Sequence, residues 1–512
     1  MQSFPWLTVT GVVPLVGAVV VALLPRALAP RAKVVALAAS LVTLALTIAL
    51  ALRFDTGAAE QFQLAEQHQW IPQFGVSYAV GVDGIALVLV ALAAVLTPVC
   101  LLAAWHDVPT VGRREQNYMA LILVLETMMI GVFSATDVFL FYVFFEAMLI
   151  PVYFLIGSFG GPRRQYAAVK FLLYSLLGGL VMLVAVIALY VAGPGGPDGF
   201  LLSKLTGLDL GVGAERLMFL GFFFAFAVKA PMFPVHTWLP DAAAEAPPPV
   251  AVLLVGVLDK VGTFGMIRFC LPLFPGAAKW ATPVVLVLAV VSIVYGALLA
   301  IGQTDVMRLI AYTSVSHFGF IVLGIFAMTS TGQSGSMLYM VNHGFSTAAL
   351  FLVAAMLAVR RGSSRIPDFG GWQRVTPLIA GVFLIAGLSS LALPGLSTFV
   401  SEFLVLVGTF QRYPVAGVVA TVGIILAAIY ILLAYQRMMT GPRPEAVGVT
   451  RDLTRREAWV VAPVLAAIIG LGVFPGPVLD VINPAVKRTM TSIGMTDPAP
   501  RAGVPAAEGT AK

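Results

Sequence analysis

Residues 85–105 read IALVLVALAAVLTPVCLLAAW, a run that contains no charged side chain. A helix needs roughly 20 apolar residues to cross the hydrocarbon core of a bilayer, so this run is long enough to span a membrane. Similar uncharged runs occupy residues 7–24, 34–52, 171–192 and 284–302. Charged residues make up only 11% of the 512 residues, whereas typical globular proteins carry about 25%. The sequence therefore predicts a polytopic membrane protein and excludes a soluble protein of this size.

Breaks rich in charge, proline or glycine divide the apolar sequence into about fourteen predicted helices. We predict an all-α polytopic membrane protein whose single membrane domain covers residues 1–512. No basic region precedes the first helix, which starts at Leu7, and its apolar run carries no small-residue cleavage site, so we expect it to be retained as a span. The predicted helices cover residues 7–25, 32–52, 83–104, 117–134, 137–159, 166–192, 217–236, 246–271, 281–301, 305–327, 335–358, 377–403, 415–436 and 458–475.

Basic residues fall unevenly on the two sides of the predicted membrane. An even number of spans puts both termini on one side, together with the tail residues Arg501 and Lys512. The loops on the opposite side carry most of the arginines, among them Arg113, Arg360 and Arg443. Because cytoplasmic loops are enriched in lysine and arginine, both termini are predicted to lie on the outer face. This asymmetry accounts for most of the net charge of +6, and a nucleic-acid partner is not needed to explain it.

The cysteine content limits the chemistry that the chain can perform. Cys100 and Cys270 are the only cysteines, and both lie in apolar sequence. Two isolated cysteines cannot build a four-cysteine iron–sulfur cluster, a CxxC redox pair or a thiolate zinc site. The chain also has no P-loop or GxGxxG sequence. We therefore predict no cofactor and no metal in this chain, so any redox centre that it serves must lie in another chain.

A small set of ionisable residues lies inside the predicted spans, where each costs several kcal/mol unless it is paired or hydrated. No arginine lies deep in a predicted span. The lysines that do are chemically different, because a desolvated lysine can release its proton and arginine effectively cannot. Each of these residues also has a structural interpretation. A glutamate can be neutral and form a hydrogen bond between helices, and a lysine can extend its side chain to the membrane interface. The candidates for proton transfer are Glu146, Lys229, Lys260, His317, His343 and Glu402, with His236, Glu126, Lys170 and Asp259 as weaker candidates.

Helix-breaking residues interrupt two of the predicted spans. Pro231 and Pro234 follow Lys229, and Pro394 and Gly395 precede Glu402. Broken helices inside a membrane commonly mark an ion pathway, and an odd offset between two breaks is typical of an inverted repeat. The breaks are five predicted helices apart, which predicts two inverted five-helix units. The predicted units are residues 117–271 and 281–436, preceded by N-terminal helices at 1–116 and followed by the last helix and the tail at 437–512.

Several stretches that contain these residues belong to one recognisable set. They read FYVFFEAMLIP at 141–151, KAPMFPVHTWLPD at 229–241, EAP at 245–247, KVGTFGMIR at 260–268, NHG at 342–344, LPG at 393–395 and EFL at 402–404. As a set they resemble the antiporter-like membrane subunits of respiratory complex I, over nearly the whole chain. The resemblance implies a proton-translocating subunit of an NADH–quinone oxidoreductase in a bacterial inner membrane, which is an enzyme only as part of that translocase.

The resemblance also implies a mechanism and partners. Glu146 is expected to pair with Lys229, and protons are expected to pass along Lys260, His317 and His343 towards Glu402, which would face the outer exit. NADH, FMN, iron–sulfur clusters and quinone are expected in partner subunits. The expected partners are the other complex I subunits, above all the two sister antiporter-like subunits, and membrane lipids.

The chain departs from the family pattern around the predicted cytoplasmic entry. Ala243 stands where a histidine is common, Asp259 stands where an apolar residue is usual, and PPVA at 248–251 replaces a small polar run. Two alternatives share many of the same features. One is a subunit of a multi-chain sodium/proton antiporter or of a membrane-bound hydrogenase, and the other is an assembly scaffold with a vestigial channel.

Overall fold

The structure is a computed structural model that describes residues 4–58, 60–106, 113–442 and 450–499. Arg443, Arg501 and Lys512, which the orientation prediction used, lie outside the described residues. The N-terminal elements are α1 Trp6–Leu23, α2 Ala32–Arg53, β1 Gln63–Ile71, β2 Val76–Val82, α3 Gly84–Ala103, α4 Arg114–Ser134, α5 Val138–Ala147, α6 Leu149–Phe159 and α7 Arg164–Ala192. The middle elements are α8 Leu202–Leu205, α9 Val212–Lys229, α10 Trp238–Glu245, α11 Pro248–Leu253, α12 Lys260–Gly265, α13 Leu271–Leu273, α14 Pro275–Ile301, α15 Val306–Phe326 and α16 Ser330–Arg361. The C-terminal elements are α17 Pro377–Ser390, α18 Ser397–Arg412, α19 Pro414–Ala420, α20 Val422–Met439, α21 Arg455–Val473 and α22 Gly476–Ser492.

Twelve helical segments of the described residues are long and apolar enough to cross a membrane. This confirms a polytopic helical membrane protein, and each of the twelve corresponds to a predicted span. The other two predicted spans contain the breaks: α9 ends at Lys229, inside 217–236, and 377–403 is divided between α17 and α18. Both predicted interruptions are therefore confirmed, whereas the predicted number of about fourteen complete spans is not. The division into two inverted units remains a prediction.

Proline and glycine explain where the two interrupted spans break. Helix α9 ends at Lys229 and α10 begins at Trp238, with Pro231 and Pro234 between them. Helix α17 ends at Ser390 and α18 begins at Ser397; Gly395, in this second break, has a φ of 91°, a conformation that glycine adopts readily. Each break places two helix ends inside the bundle, where side chains take over some of their backbone hydrogen bonds: Trp238 Nε1 donates to the Val228 carbonyl oxygen and Thr398 Oγ1 donates to that of Ser389.

A β-hairpin between α2 and α3 is an addition to the helical fold that the sequence analysis did not predict. Strands β1 and β2 pair antiparallel, and Gly75, at a φ of 67°, stands in the turn between them. Almost all of β2 is buried, whereas β1 is largely exposed. Glu66 of β1 accepts hydrogen bonds from the backbone N–H groups of Leu7 (2.8 Å) and Thr8 (3.2 Å). The hairpin therefore holds the first turn of α1.

The two described ends of the chain lie at the same end of the helical bundle. Helix α22 packs against α3, and the Val481 carbonyl oxygen lies so close to Gly84 that an added Cβ would be 1.8 Å away. Gly84 directly follows the hairpin that holds the start of α1. We call this the terminal end. The opposite end carries Arg308 and Arg360, and we call it the arginine-rich end.

The centre of the molecule consists of the span Pro248–Leu273 and of helices α15 and α16. The apolar part of this span is completely buried inside the molecule. It is not a regular α-helix, because π-helical segments at Leu254–Leu258 and Met266–Cys270 flank α12. Such wider turns are frequent at functional sites.

Arg268 lies close to one end of a span and not deep inside it, yet it is buried, which the sequence analysis did not predict. It lies near the end of Pro248–Leu273, is only 5% exposed and forms an ion pair with Asp83 at 2.7 Å. The guanidinium group also lies over the rings of Phe62 and Phe264. A buried arginine is tolerated here because its charge is paired and its planar face is packed.

Candidate functional site

Lys260 lies at the centre of the buried ionisable residues. It is the first residue of α12, separated from the π-helical segment Leu254–Leu258 by Asp259, and it is completely buried. Its Nζ lies 2.6 Å from the Val255 carbonyl oxygen and 2.7 Å from His343 Nδ1. The ammonium group also lies 5.1 Å from the centre of the Phe318 ring. Lys260 and His343 can therefore share a proton directly across a hydrogen bond.

Two histidines continue from Lys260. The imidazole rings of His343 on α16 and His317 on α15 have centroids 5.3 Å apart. His317 Nδ1 lies 2.6 Å from the hydroxyl oxygen of Tyr339, and its Nε2 lies 3.2 Å from Ser390 Oγ. Ser390 is the last residue of α17, so the second helix break supplies a partner to His317. The histidines thus connect the two central helices with the interrupted span.

Glu402 ends this series of contacts. It lies in α18, is 3% exposed and accepts a hydrogen bond of 2.8 Å from the Tyr339 hydroxyl group. Tyr339 therefore joins His317 to Glu402, a connection that the sequence analysis did not predict. The only sign of this role of Tyr339 in the sequence is that Tyr339 and His343 are four residues apart and therefore share one helix face. The contacts run from Lys260 to His343, then to His317, Tyr339 and Glu402. The sequence analysis placed His317 before His343, so the two histidines are in the reverse order.

Lys229 and Glu146 lie in the same region but do not form the expected pair. No ion pair joins them within the described residues, and neither Lys229 Nζ nor Glu146 Oε1 has a hydrogen-bond partner there. The ammonium group of Lys229 lies 5.3 Å from the ring centre of Phe145 and 5.4 Å from that of Phe171. The two charges remain within electrostatic range of each other. Aromatic faces, and not the carboxylate, are in contact with this cation.

Helix α7 fixes the position of the Glu146 side chain. Gly179 leaves the space that the carboxylate fills, since a Cβ added there would be 1.5 Å from Glu146 Oε1 and 2.5 Å from its Cδ. Any larger residue at this position would displace the carboxylate.

Asp259 is a second buried carboxyl group without a partner. It is completely buried, and neither of its side-chain oxygens accepts a hydrogen bond from the described residues. It immediately precedes Lys260 and lies within electrostatic range of both Lys229 and Lys260. The structure therefore places this weaker candidate beside the two lysines.

Lys170 takes part in an ion-pair cluster at the arginine-rich end. Asp241 of α10 binds Lys170 Nζ at 2.7 Å and Arg308 Nη1 at 2.6 Å, which ties α7 and α15 to the segment after the first break. Burial opposes ionisation of Asp241, but the hydrogen bonds from Lys170 and Arg308 outweigh it and hold the pKa of this carboxyl below its ordinary value. Asp241 was not among the predicted site residues, although it stands in the quoted stretch 229–241.

The two remaining candidates lie outside the line of contacts. His236, in the first break, packs against the rings of Phe233 and Tyr295, and its Nδ1 has no hydrogen-bond partner within the described part of the chain. Glu126 in α4 is completely buried, and the described residues offer neither of its oxygens a donor. Among the residues that the structure describes, no group of three His, Cys, Asp or Glu side chains is placed to hold a metal ion.

A bundle of spans with two broken helices and a buried series of titratable groups defines an ion-translocating membrane protein. The family model "NADH:quinone oxidoreductase/Mrp antiporter, TM" matches residues 135–427. The NADH-quinone oxidoreductase subunit M of Mycobacterium tuberculosis (strain ATCC 25618 / H37Rv) is 51% identical, over 99% of this chain and 97% of its own length. The NADH-ubiquinone oxidoreductase chain 4 of Marchantia polymorpha is 36% identical, over 93% of this chain and 95% of its own length.

A solved structure agrees with these relatives. A chain of the respiratory complex I from Thermus thermophilus with bound NADH matches with a TM-score of 0.85 and 32% identity, over 95% of this chain and 100% of that chain. The chain described here belongs to the family of NADH:quinone oxidoreductase and Mrp antiporter membrane subunits. The family resemblance and the membrane fold expected from the sequence are confirmed.

Proposed function

We propose that this chain carries one proton channel of an NADH–quinone oxidoreductase and transfers no electrons itself. NADH, FMN, iron–sulfur clusters and quinone would then reside in partner subunits. The observation that carries the proposal is the buried series of contacts from Lys260 through His343, His317 and Tyr339 to Glu402. Every group in this series can take up or release a proton, and burial separates these groups from bulk water, so that a proton is not exchanged with the solvent between the two ends.

The channel would lead towards the terminal end. Glu402 lies in α18, which runs from the second break to Arg412, and the guanidinium group of Arg412 binds the carbonyl oxygen of Thr496 in the C-terminal segment. If the arginine-rich end faces the cytoplasm, as the distribution of basic residues indicates, Glu402 lies in the outer half of the membrane. Both termini would then be outside, in a bacterial inner membrane.

Lys229 and Glu146 would drive the proton into this channel. Since no hydrogen bond holds either group to the other, a change in their separation needs no bond to be broken first. When the Glu146 carboxylate approaches, the ammonium form of Lys229 is stabilised, and when it withdraws Lys229 releases its proton. Lys260 then takes up the proton and passes it to His343, and Glu402 finally delivers it to the outer side.

The energies involved are compatible with this sequence of steps. Moving one charge across a membrane potential costs about 2.3 kcal/mol per 100 mV. A hydrogen bond to a charged group contributes roughly 1.5–3 kcal/mol. Making or breaking one such bond in the series is therefore on the scale of the work done against the field.

The test uses the assembled complex in proteoliposomes, with the proton-to-electron ratio as the readout. We expect Glu146→Ala and Lys229→Ala to leave the complex assembled and to lower the ratio. Lys204→Ala, an exposed lysine in a helix of four residues outside the spans, is the matched control and should behave like the wild type. A normal ratio in either Glu146→Ala or Lys229→Ala would refute the assignment.

Two alternatives make different predictions. An assembly scaffold with a vestigial channel predicts that Lys229→Ala reduces the yield of complex on blue-native gels more than it reduces pumping. A subunit of a sodium/proton antiporter predicts sodium-dependent proton movement without NADH oxidation. The identity of 51% to a subunit that is named for NADH–quinone oxidoreductase favours the first proposal over both.

A further inference from the structure

The proposed channel has a gap between its two lysines. Lys260 is bound to Val255 and His343, whereas Lys229 lies between aromatic rings and has no hydrogen-bond partner among the described residues. No hydrogen bond within the described residues links the two side chains. A proton that leaves Lys229 therefore needs a further acceptor before it reaches Lys260.

Asp259 is a costly residue for a purely structural role. It is completely buried, and its carboxyl oxygens receive no hydrogen bond from the part of the chain that the structure describes. Burial of a carboxyl group without a donor costs several kcal/mol, and the group returns no bond that would stabilise the fold. Ionisable residues of this kind inside a membrane are usually functional.

The packing of α12 directs Asp259 towards Lys229. Gly262 follows Asp259 by three residues and so lies on the same helix face. That face touches the end of α9, because a Cβ added to Gly262 would lie 2.5 Å from the carbonyl oxygen of Phe226 and 2.6 Å from the amide nitrogen of Ala230. Lys229 lies within this segment. Asp259, the N-cap residue of α12, thus stands on the side of this span that meets the first helix break, and it is the residue next to Lys260.

We propose that Asp259 is a proton-carrying residue between Lys229 and Lys260, an inference that rests on the proposed function of the chain. The Lys229 ammonium group loses a proton, and the Asp259 carboxylate gains it as an O–H bond forms. Neutral Asp259 then loses this proton to the neutral Lys260 amine, which becomes an ammonium ion. The carboxylate returns to its starting state, so protons and charge balance over the two transfers.

The experiment compares five variants of the assembled complex by their proton-to-electron ratio. Lys260→Met is the reference for a blocked channel, and Asp259→Asn keeps the shape of the side chain but cannot carry the proton. We expect Asp259→Asn to lose the same share of pumping as Lys260→Met. Asp259→His can carry a proton without a negative charge, so it should retain part of the pumping. Cys270→Ala, a buried change in the same span, is the control and should match the wild type.

Assembly is measured on the same preparations. Asp259→Leu separates a loss of proton transfer from a folding defect in Asp259→Asn, because a buried leucine leaves no polar atom without a hydrogen bond. We expect this variant to assemble at least as well as the wild type and still to lose pumping. A normal ratio in Asp259→Asn or Asp259→Leu, with a lowered ratio in Lys260→Met, would overturn the role of Asp259 alone. Full loss of pumping in an assembled Asp259→His complex would also overturn this role, because it would mean that Asp259 acts as a fixed negative charge beside the two lysines. A normal ratio in Lys260→Met would overturn the proposed function itself.

Discussion

Gly179→Ala should displace the Glu146 carboxylate, although the substitution replaces no ionisable residue. The added Cβ would lie 1.5 Å from Glu146 Oε1, whereas ordinary van der Waals contact begins at 3.4 Å, so the carboxylate must move by about 2 Å. The atom that has to move is the far end of a flexible side chain, so the cost to folding should be small. A misplacement of about 1 Å in a reacting group can reduce a rate on the order of a hundredfold. We therefore expect a large loss of pumping in a complex that still assembles.

The assay is the proton-to-electron ratio of the complex in proteoliposomes, with Glu146→Ala measured alongside. Gly179→Ala should fall towards the ratio of Glu146→Ala. Gly381→Ala is the matched control, since it also adds a methyl group to a membrane helix, but its Cβ would meet no atom within 4 Å. An assembled Gly179→Ala complex with the ratio of the Gly381→Ala complex would refute the argument that the position of the Glu146 carboxylate matters.

Three further variants test other parts of the structure. Tyr339→Phe removes the hydroxyl group between His317 and Glu402, so we expect a loss of stability of about 1–3 kcal/mol by thermal unfolding and a lowered proton-to-electron ratio; an unchanged ratio would exclude Tyr339 from the pathway. Glu402→Lys should retain part of the pumping, because lysine is also titratable; complete loss in an intact complex would mean that the carboxylate itself is required. Asp241→Asn should lower the melting temperature at pH 7, because the folded state favours ionised Asp241. Since the folded-state pKa of Asp241 lies below its ordinary value, this stabilisation is full above about pH 4 and is lost as the pH falls through the folded-state pKa. The difference between Asp241→Asn and the wild type should therefore shrink on acidification, and a constant difference would contradict the ion-pair explanation.

The spans and both helix breaks could be predicted because their signals are local. A run such as 85–105 shows its preference for lipid without reference to any other part of the chain. Pro231 and Pro234 lie in the first break and Pro394 lies in the second, and proline disfavours a continuous helix through its own missing N–H group and ring. The hairpin at residues 63–82 was missed because a search for long apolar runs does not register two short strands.

The contacts within the site could not be predicted because they join distant parts of the chain. The hydroxyl group of Tyr339 binds partners that are 22 and 63 residues away, and Arg268 pairs with a residue 185 positions away. The prediction that Lys229 pairs with Glu146 followed from the family resemblance. It did not include the rings of Phe145 and Phe171, which occupy the space around the ammonium group.

The distribution of hydrogen bonds divides the proposed pathway into two physically different halves. From Lys260 to Glu402, the side chains are held by contacts of 2.6–2.8 Å and by one pair of neighbouring rings. In the other half, Lys229 Nζ, Glu146 Oε1 and both Asp259 oxygens have no hydrogen-bond partner among the described residues, whereas His343 lacks one at Nε2 but is bonded to Lys260 through Nδ1. In a medium of low dielectric constant an unpartnered charge responds strongly to any change nearby, whereas a bonded group must first break a bond. Energy from a partner subunit would therefore act on the unbonded half, and the bonded half would set the direction in which the released proton moves.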